Sequence, residues 1–478
     1  MEYSFFKYKR NSFLKSVKNF EHEQERVLFK IINSNKNTKY GIKYGFSKIK
    51  TIKEFQKYVP ISIYENYESY ISEILNGKNN ILTKEKILLL EPTSGSSSQK
   101  KYIPYTKSLK KAFNYGIEPW LSDLFVNYPE LLDLKMYWSI TPSIKIDEAA
   151  SKIKIGFEND FEYLNEKFAN LIIKNALIPP ICDNTEKFQT DTAAFLEKQN
   201  NLGLISIWNP YLLILFIRKM SKQPKDIWKN LSVISCWDDG YSKMYADKLK
   251  EMFPNTYIQG KGLLATEGIM TIPIINIGKL PCVKSHFFEF IDIETNKIKL
   301  LSDLKIGNKY SILLTTQGGL YRYKIGDIVK VYGKYNRCPL LSFEGREDSV
   351  SDYFGEKLNE DFVLNILKKY KIDKISDFYL FTPNFIDDIF NYVLYLDTNK
   401  HIDFMELEKN IELELSKNFH YNYARKLGQI ADFKIYIIKN GMKQYLDYCI
   451  KKGQKMGDIK PKHFSNCANY NFVGEFVL

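Results

Sequence analysis

Three short segments carry residue types able to handle a nucleotide. The first, Thr93-Ser94-Gly95-Ser96-Ser97-Ser98-Gln99-Lys100-Lys101, follows the strand-like apolar run Ile87 to Leu90. Small hydroxyl residues around a glycine let backbone N–H groups and hydroxyls close around a phosphate, and the lysines add positive charge. The pattern is not GxxxxGK[ST], so an ordinary P-loop kinase or GTPase is unsupported. A flexible surface loop has the same composition. The second segment, Ala265-Thr266-Glu267-Gly268, follows the glycine-rich GKGLL. A lone glutamate is ordinarily a surface carboxylate; beside a triphosphate it can hold Mg2+, which takes one or two carboxylates together with phosphate oxygens. In the third, Tyr321-Arg322-Tyr323-Lys324-Ile325-Gly326-Asp327, an aspartate in the tight turn after a strand can accept both ribose hydroxyls. A plain hairpin turn reads the same way.

The elements that must position these segments follow from periodicity. Residues 1–80 read as helical, with apolar residues three and four apart in FLKSVKNFEHEQERVLFKIIN. From about 135 to 345 short apolar runs (MYWSI, LISIW, LSVISCW, TYIQG, FFEFIDI, YSILLTT) alternate with helical stretches at 157–176, 189–200, 210–221 and 241–252. That rhythm predicts an α/β fold whose first sheet is parallel. Beyond Gly307 the pattern turns strand-rich with glycine turns, as in a small β-barrel or antiparallel sheet. The charged break EGRED at Glu344–Asp348 opens a new unit of helix (Asn359–Tyr370), strand (Ser376–Phe381), strand (Asn391–Leu396), helix (Phe404–Asn418) and strand (Phe433–Ile438). The expected domains are 1–345 and 346–478.

Composition narrows the class. With 478 residues, 44% apolar and 26% charged, the chain has the balance of a globular protein of two or three domains with a sizeable core. The net charge of +13 comes from lysines spread along the chain, without a block of like charge or a nucleic-acid motif. A solvated basic surface is expected rather than a nucleic-acid partner. The longest apolar run, Tyr211 to Ile217, is too short to span a bilayer, and residues 1–20 lack the apolar core of a signal peptide. No membrane partner and a cytoplasmic location are expected. Six scattered cysteines without a CxxC pair suggest buried free thiols in a reducing compartment rather than disulfides or zinc.

Taken in order, the segments resemble the adenylate-forming superfamily and, more closely, the Gretchen Hagen three family of acyl-acid amido synthetases. NTKYG (Asn37–Gly41), EFQKYVPISIYENY (Glu54–Tyr67), TSGSSSQKKYIPYT (Thr93–Thr106), ISIWNP (Ile205–Pro210) and ISCWDDG (Ile234–Gly240) are similar to that family's N-terminal half. IQGKGLLATEG (Ile258–Gly268), YRYKIGD (Tyr321–Asp327), FGEKLNE (Phe354–Glu360), NFHYNYARKLGQ (Asn418–Gln429) and GDIKP (Gly457–Pro461) extend the likeness over nearly the whole chain. The resemblance implies a large adenylation domain followed by a smaller mobile α+β domain. It places Ser94, Gly95, Ser96 and Ser97 on the phosphate loop, with Ser96 replacing the usual threonine, and Thr266 and Glu267 on the motif that meets ATP and Mg2+. It puts Asp327 on the ribose, with Tyr321 and Arg322 introducing it, and Arg346 and Asp348 at the interdomain hinge. Lys460 falls where the mobile domain's lysine reaches the reacting carboxylate and α-phosphate. Two positions depart from the family pattern: Leu263-Leu264 stand where relatives carry an aromatic residue against adenine, and Asp458 replaces a frequent glutamine.

The implied chemistry needs no covalent nucleophile. A carboxylate attacks the α-phosphorus of ATP, pyrophosphate leaves, and an amine, expected to be an amino acid, displaces AMP from the acyl-adenylate to form an amide. The acyl-acid pocket is expected among residues 115–240, where Tyr115, Trp120, Tyr137 and Trp208 can wall an aryl acid or serve as core. Two alternatives remain: a ligase delivering the acyl group to coenzyme A or a carrier thiol, and a non-catalytic nucleotide-binding relative. The presence of Glu267, Asp327 and Lys460 together speaks against the second.

Overall fold

The computed structural model describes residues 2–93, 101–139, 153–157, 166–178, 185–347, 350–351, 353–354, 356–386, 389–400, 402–426, 428–454, 456, 459–468, 470 and 472–476. The chain divides into two compact units, Met1–Gly345 and Arg346–Leu478.

The first unit opens with helices Glu2–Lys18 and Phe20–Asn35, whose apolar faces bury Phe6, Phe13, Val27, Leu28, Ile31 and Ile32. One polar side chain on that face is also buried. Gln24 donates through Nε2 to the carbonyls of Val283 (2.8 Å) and His286 (2.7 Å) and accepts from the Phe288 N–H (2.8 Å). All three amide hydrogen-bonding directions used here go to backbone that the helix covers, so burial leaves them satisfied.

Strands β1 (Ile87–Thr93) and β2 (Lys101–Thr106) form an antiparallel hairpin in which Thr93 faces Lys101. Thr106 then caps the helix Lys107–Asn127 by accepting the Leu109 N–H at 3.0 Å. Strands β3 (Lys135–Trp138), β4 (Ala176–Leu177), β5 (Leu202–Ser206), β6 (Val233–Cys236) and β7 (Tyr257–Gly260) make one sheet in the order β4-β3-β5-β6-β7. Every pairing in it is parallel. The crossovers carry helices Glu166–Asn175, Thr185–Glu197, Pro210–Lys219 and Lys243–Met252. β5 and β6 are buried at every position, as expected of strands covered on both faces.

Two small hairpins follow: β8 (Leu264–Ala265) with β9 (Gly268–Ile269), and β10 (Thr271–Ile274) with β11 (Gly278–Pro281). Strands β12 (Phe287–Asp292), β13 (Ile298–Leu300), β14 (Lys309–Thr315), β15 (Tyr323–Tyr335) and β16 (Cys338–Arg346) build a five-stranded sheet ordered β13-β12-β14-β15-β16. β12, β13, β14 and β15 pair antiparallel there.

The second unit pairs β17 (Val350–Ser351) with β18 (Leu358–Asn359) and centres on a mixed sheet of β19 (Phe378–Ile386), β20 (Ile389–Asp397), β21 (Lys434–Ile438) and β22 (Gly474–Phe476). Helices Glu360–Lys369, Phe404–Leu415, Phe419–Lys426 and Gly441–Lys451 complete it. Asn359 caps the first of these on the Phe362 N–H at 2.8 Å. Among the described cysteines Cys236, Cys282, Cys338 and Cys449 are buried free thiols, whereas Cys467 is exposed, against the expectation of burial. No helix among the described residues is long and apolar enough to cross a membrane.

Candidate active site

Thr266 and Glu267 are the two turn residues of the β8–β9 hairpin, in which Ala265 pairs with Gly268. The tip is held from two sides. Tyr105 on β2 donates through Oη to the Thr266 carbonyl at 2.6 Å, which joins it to the hairpin whose ends flank residues 94–100. On the other side the Ile269 N–H donates to His286 Nε2 at 3.1 Å. With Nε2 accepting, Nδ1 carries the proton and donates to Gln317 Oε1 at 3.3 Å; Gln317 Nε2 in turn donates to the Ser285 carbonyl at 2.6 Å. Gly268 packs against the imidazole so closely that an added Cβ would stand 2.7 Å from Nε2. His286 therefore sets the height of the Thr-Glu tip. Nothing local marks it in the sequence, because its partners lie 17 and 31 residues away.

His286 is fully buried, and burial pulls its imidazole down to about 3. The unfolded chain takes up a proton near the ordinary histidine value of 6.5, so between about 6.5 and 3 the unfolded state binds more protons. This residue's contribution is present above that window and is lost as pH falls through it. Between pH 6.5 and 5 it should remove about 2 kcal/mol of stability. His286→Gln should flatten that part of the urea-unfolding free energy against pH; an unchanged slope would mean that another group takes up the proton.

Asp327 is buried at 6% exposure, and its surroundings correct the expectation of a tight turn after a strand. It lies inside β15, where the register against β14 shifts between Ser311 and Leu313 and Gly326 takes a φ of 81°. The bulge, not a hairpin turn, re-aims this stretch of strand.

Tyr321 and Arg322 need a larger correction. The Tyr321 side chain is fully buried, stacked on Tyr40 at 4.7 Å, with its hydroxyl donating to the Leu82 carbonyl at 2.6 Å. Arg322 is 2% exposed. Its Nε and Nη2 meet Glu289 at 2.9 and 3.0 Å, and Nη1 donates to the carbonyls of Gln56 (2.9 Å) and Val59 (2.7 Å). A guanidinium so engaged has its charge matched inside the protein and does not present itself to a nucleotide. Both side chains anchor the strand that bears Asp327 to the segment 40–82, at Tyr40, Gln56, Val59 and Leu82.

Ser94, Gly95, Ser96, Ser97 and Asp348 lie outside the described residues. Arg346 is exposed at the end of β16. In the second unit Lys460 is exposed, between buried Ile459 and Pro461. Its carbonyl accepts the Tyr445 hydroxyl at 3.1 Å. Three residues on, His463 stacks on Tyr379 at 3.9 Å and donates through Nδ1 to the Tyr379 carbonyl at 3.0 Å. The Phe381 N–H and Ser465 N–H close a two-bond ladder with the same segment at 2.9 and 2.8 Å.

Other segments singled out in the sequence prove to be internal braces. Buried Glu356 accepts the N–H groups of Tyr353 and Phe354 and the Tyr392 hydroxyl. Asn418 caps the helix Phe419–Lys426 through the His420 and Tyr421 N–H groups. Tyr421 and Arg425 both bond Glu412, at 2.9 and 3.0 Å. Lys279 bridges Asp238 and Asp239 of the WDDG segment at 2.5 and 2.6 Å.

Of the aromatic residues expected near an acid, Tyr137 is fully buried core, while Tyr115, Trp120 and Trp208 are half-buried. Leu263 is packed in the core and Leu264 is half-buried. Among the described residues no three His, Cys, Asp or Glu side chains gather as a metal cage. One carboxylate at a hairpin tip still suits Mg2+, which keeps waters and takes most of its oxygens from phosphates.

Comparison with known proteins covers most of the chain. Residues 9–227 match the GH3 family N-terminal domain, 280–346 the central domain and 363–469 the C-terminal domain. Indole-3-acetic acid-amido synthetase GH3.15 of Arabidopsis thaliana is 22% identical, over 96% of this chain and 94% of the relative. The solved structure of AtGH3.15 acyl acid amido synthetase in complex with 2,4-DB superposes with a TM-score of 0.79 at 18% identity, covering 95% of this chain and 94% of that one. A 2-hydroxyisobutyryl-CoA ligase in the postadenylation state shares the fold with a TM-score of 0.55 at 10% identity, covering 94% of this chain and 88% of that one.

Proposed function

Because this chain belongs to the GH3 family, we propose a division of labour among its residues for the ligase reaction of that family. The enzyme activates a carboxylic acid as an acyl-adenylate and passes the acyl group to an amine, forming an amide. ATP is the activating substrate, and the acceptor is an amino acid.

The observation that carries the assignment is the Thr266–Glu267 tip, fixed by Tyr105 and His286, on the hairpin that the chain enters after leaving the carboxyl end of β7. Ligands of open α/β sheets bind at that end. Glu267 would hold Mg2+ together with the nucleotide's phosphates, and the ion would supply positive charge to the departing pyrophosphate. Ser94, Gly95, Ser96 and Ser97 cradle the phosphates through N–H and hydroxyl groups, and Thr266 adds a hydroxyl beside them. Asp327 accepts the ribose hydroxyls, and Arg346 contributes positive charge toward the nucleotide. Lys460 offsets the negative charge that builds where the carboxylate meets the α-phosphate. The catalytic power is positioning and charge neutralisation, without a covalent enzyme intermediate.

A pyrophosphate-release screen over carboxylic acids, with and without amino acids and followed by mass spectrometry, tests the reading. Amide should appear whether or not coenzyme A is present; thioester in preference to amide would move the chain to the thioester-forming ligases. Asp327→Ala should weaken ATP·Mg2+ binding by about 1.5–3 kcal/mol, the usual worth of charge-assisted hydrogen bonds. Unchanged ATP affinity in a folded variant would remove the ribose from Asp327.

A further inference from the structure

The Tyr105 ring lies where residues 153–157 meet the β1–β2 hairpin. Leu90 faces Pro104 across that hairpin and turns both its backbone groups the other way. Its N–H donates to the Lys154 carbonyl and its carbonyl accepts the Gly156 N–H, each at 2.9 Å, in a parallel bridge to Ile155. Residues 153–157 therefore run along the edge of β1 away from β2. Gly156 then takes a φ of 77°, a left-handed turn that suits glycine, and the Phe157 N–H meets Glu91 Oε2 at 2.8 Å. Glu91 is 7% exposed and stands two residues before Thr93, the last residue of β1.

The turn sets the Phe157 ring edge-on against Tyr105, with ring centres 4.9 Å apart and planes at 90°. Phe113, on the helix Lys107–Asn127, also packs on Tyr105, at 5.8 Å and 29°. All three rings are buried. A phenol oxygen sits at the end of a rigid ring, so the packing of the ring decides where the hydroxyl reaches. Here it reaches the Thr266 carbonyl at 2.6 Å.

We infer that Phe157 is a positioning residue for the triphosphate, acting through the Tyr105 hydroxyl. β1 leads into residues 94–100 and β2 leads out of them. Phe157 is tied to the first strand through Glu91 and to the second through Tyr105. Its ring therefore fixes the spacing between that hairpin and the Thr266–Glu267 tip, the two motifs assigned above to the phosphates and their Mg2+. The inference rests on the amido-synthetase reading and deepens it. AMP has no β- and γ-phosphates to span the two motifs and keeps its ribose on Asp327. Its binding should be indifferent to Phe157.

Calorimetric titration of the full chain with ATP in excess Mg2+, and separately with AMP, reads binding without turnover. Tyr105→Phe keeps the ring and removes only the hydroxyl. It should weaken ATP·Mg2+ about fivefold, the scale of one neutral hydrogen bond, and leave AMP within about twofold of wild type. Phe157→Leu keeps the position apolar, removes the edge-on ring and should show the same selective loss. The double variant should lose no more ATP·Mg2+ affinity than Tyr105→Phe alone, because both changes undo one contact. Equal losses for ATP and AMP would make Phe157 merely structural and overturn the inference. Losses that multiply in the double variant would overturn it too, since Phe157 would then not act through Tyr105. If Phe157→Leu does not fold, Tyr105→Phe still decides, because an unchanged ratio of ATP to AMP affinity overturns the inference by itself. A protein that shows the selective losses yet forms no amide with any acid would keep the positioning role and remove the amido-synthetase assignment.

Discussion

Lys460→Ala should lose about 100- to 1,000-fold in adenylation, the usual effect of removing one preorganised charge-stabilising group. The position suits the measurement. The side chain is exposed, while the backbone is held by buried Ile459, by the Tyr445 hydroxyl on the Lys460 carbonyl and by the stacked His463. Truncation removes charge and leaves those supports in place, so a loss of rate reads chemistry rather than folding. The charge that Lys460 offsets exists only while carboxylate and α-phosphate are being joined. When synthetic acyl-adenylate and amino acid are supplied, amide should form at nearly the wild-type rate. Equal losses in both half-reactions would assign Lys460 a general role in binding. No loss in either would make it a surface lysine.

The Arg322–Glu289 pair should give the largest effect on stability. The two side chains are 3% and 1% exposed, and Gln56 donates a further bond to Glu289 Oε1 at 2.9 Å. Glu289→Ala leaves a buried guanidinium without its counter-charge, which should cost about 3–5 kcal/mol in urea unfolding. A double replacement, Arg322→Met with Glu289→Leu, should recover much of that loss, since removing both charges also removes the cost of burying them. ATP affinity of the folded double variant should stay near wild type. A nucleotide-binding defect beyond the stability loss would show that Arg322 reaches the ligand after all.

The contrast between these residues shows what a sequence discloses. The strands MYWSI, LISIW, LSVISCW and TYIQG were legible because strands of a covered parallel sheet read as short apolar runs, and β3, β5, β6 and β7 occupy them, β5 and β6 being buried throughout. The Thr-Glu turn and the Lys460 segment were legible as motifs. The side-chain environment of YRYK was not. Periodicity does not distinguish an arginine facing a phosphate from one facing Glu289, 33 residues away on β12. The bulge at Asp327 was hidden for the same reason, since it is a property of the β14–β15 register and not of either strand alone. His286 and Phe157 escaped notice because a lone histidine or phenylalanine gains meaning only from its tertiary partners. The helices Phe419–Lys426 and Gly441–Lys451 were also missed, although Met442, Tyr445, Leu446 and Cys449 recur at helical spacing in the second.

The seating of Gln24 on backbone at Val283, His286 and Phe288 bears on how the chain is made. These contacts span 259 to 264 residues. At roughly 5–20 residues per second, translation needs roughly 10–50 s to supply the partners after Gln24 itself has been synthesised. Until then the helix Phe20–Asn35 lacks its seat at Val283, His286 and Phe288, whereas the helix before it can already pack Phe6 on Phe125. The nascent chain carries one helix that waits for a sheet, which is the situation holdase chaperones meet. Slowing the ribosome before codon 288 should lengthen chaperone occupancy, whereas slowing it after that point should not.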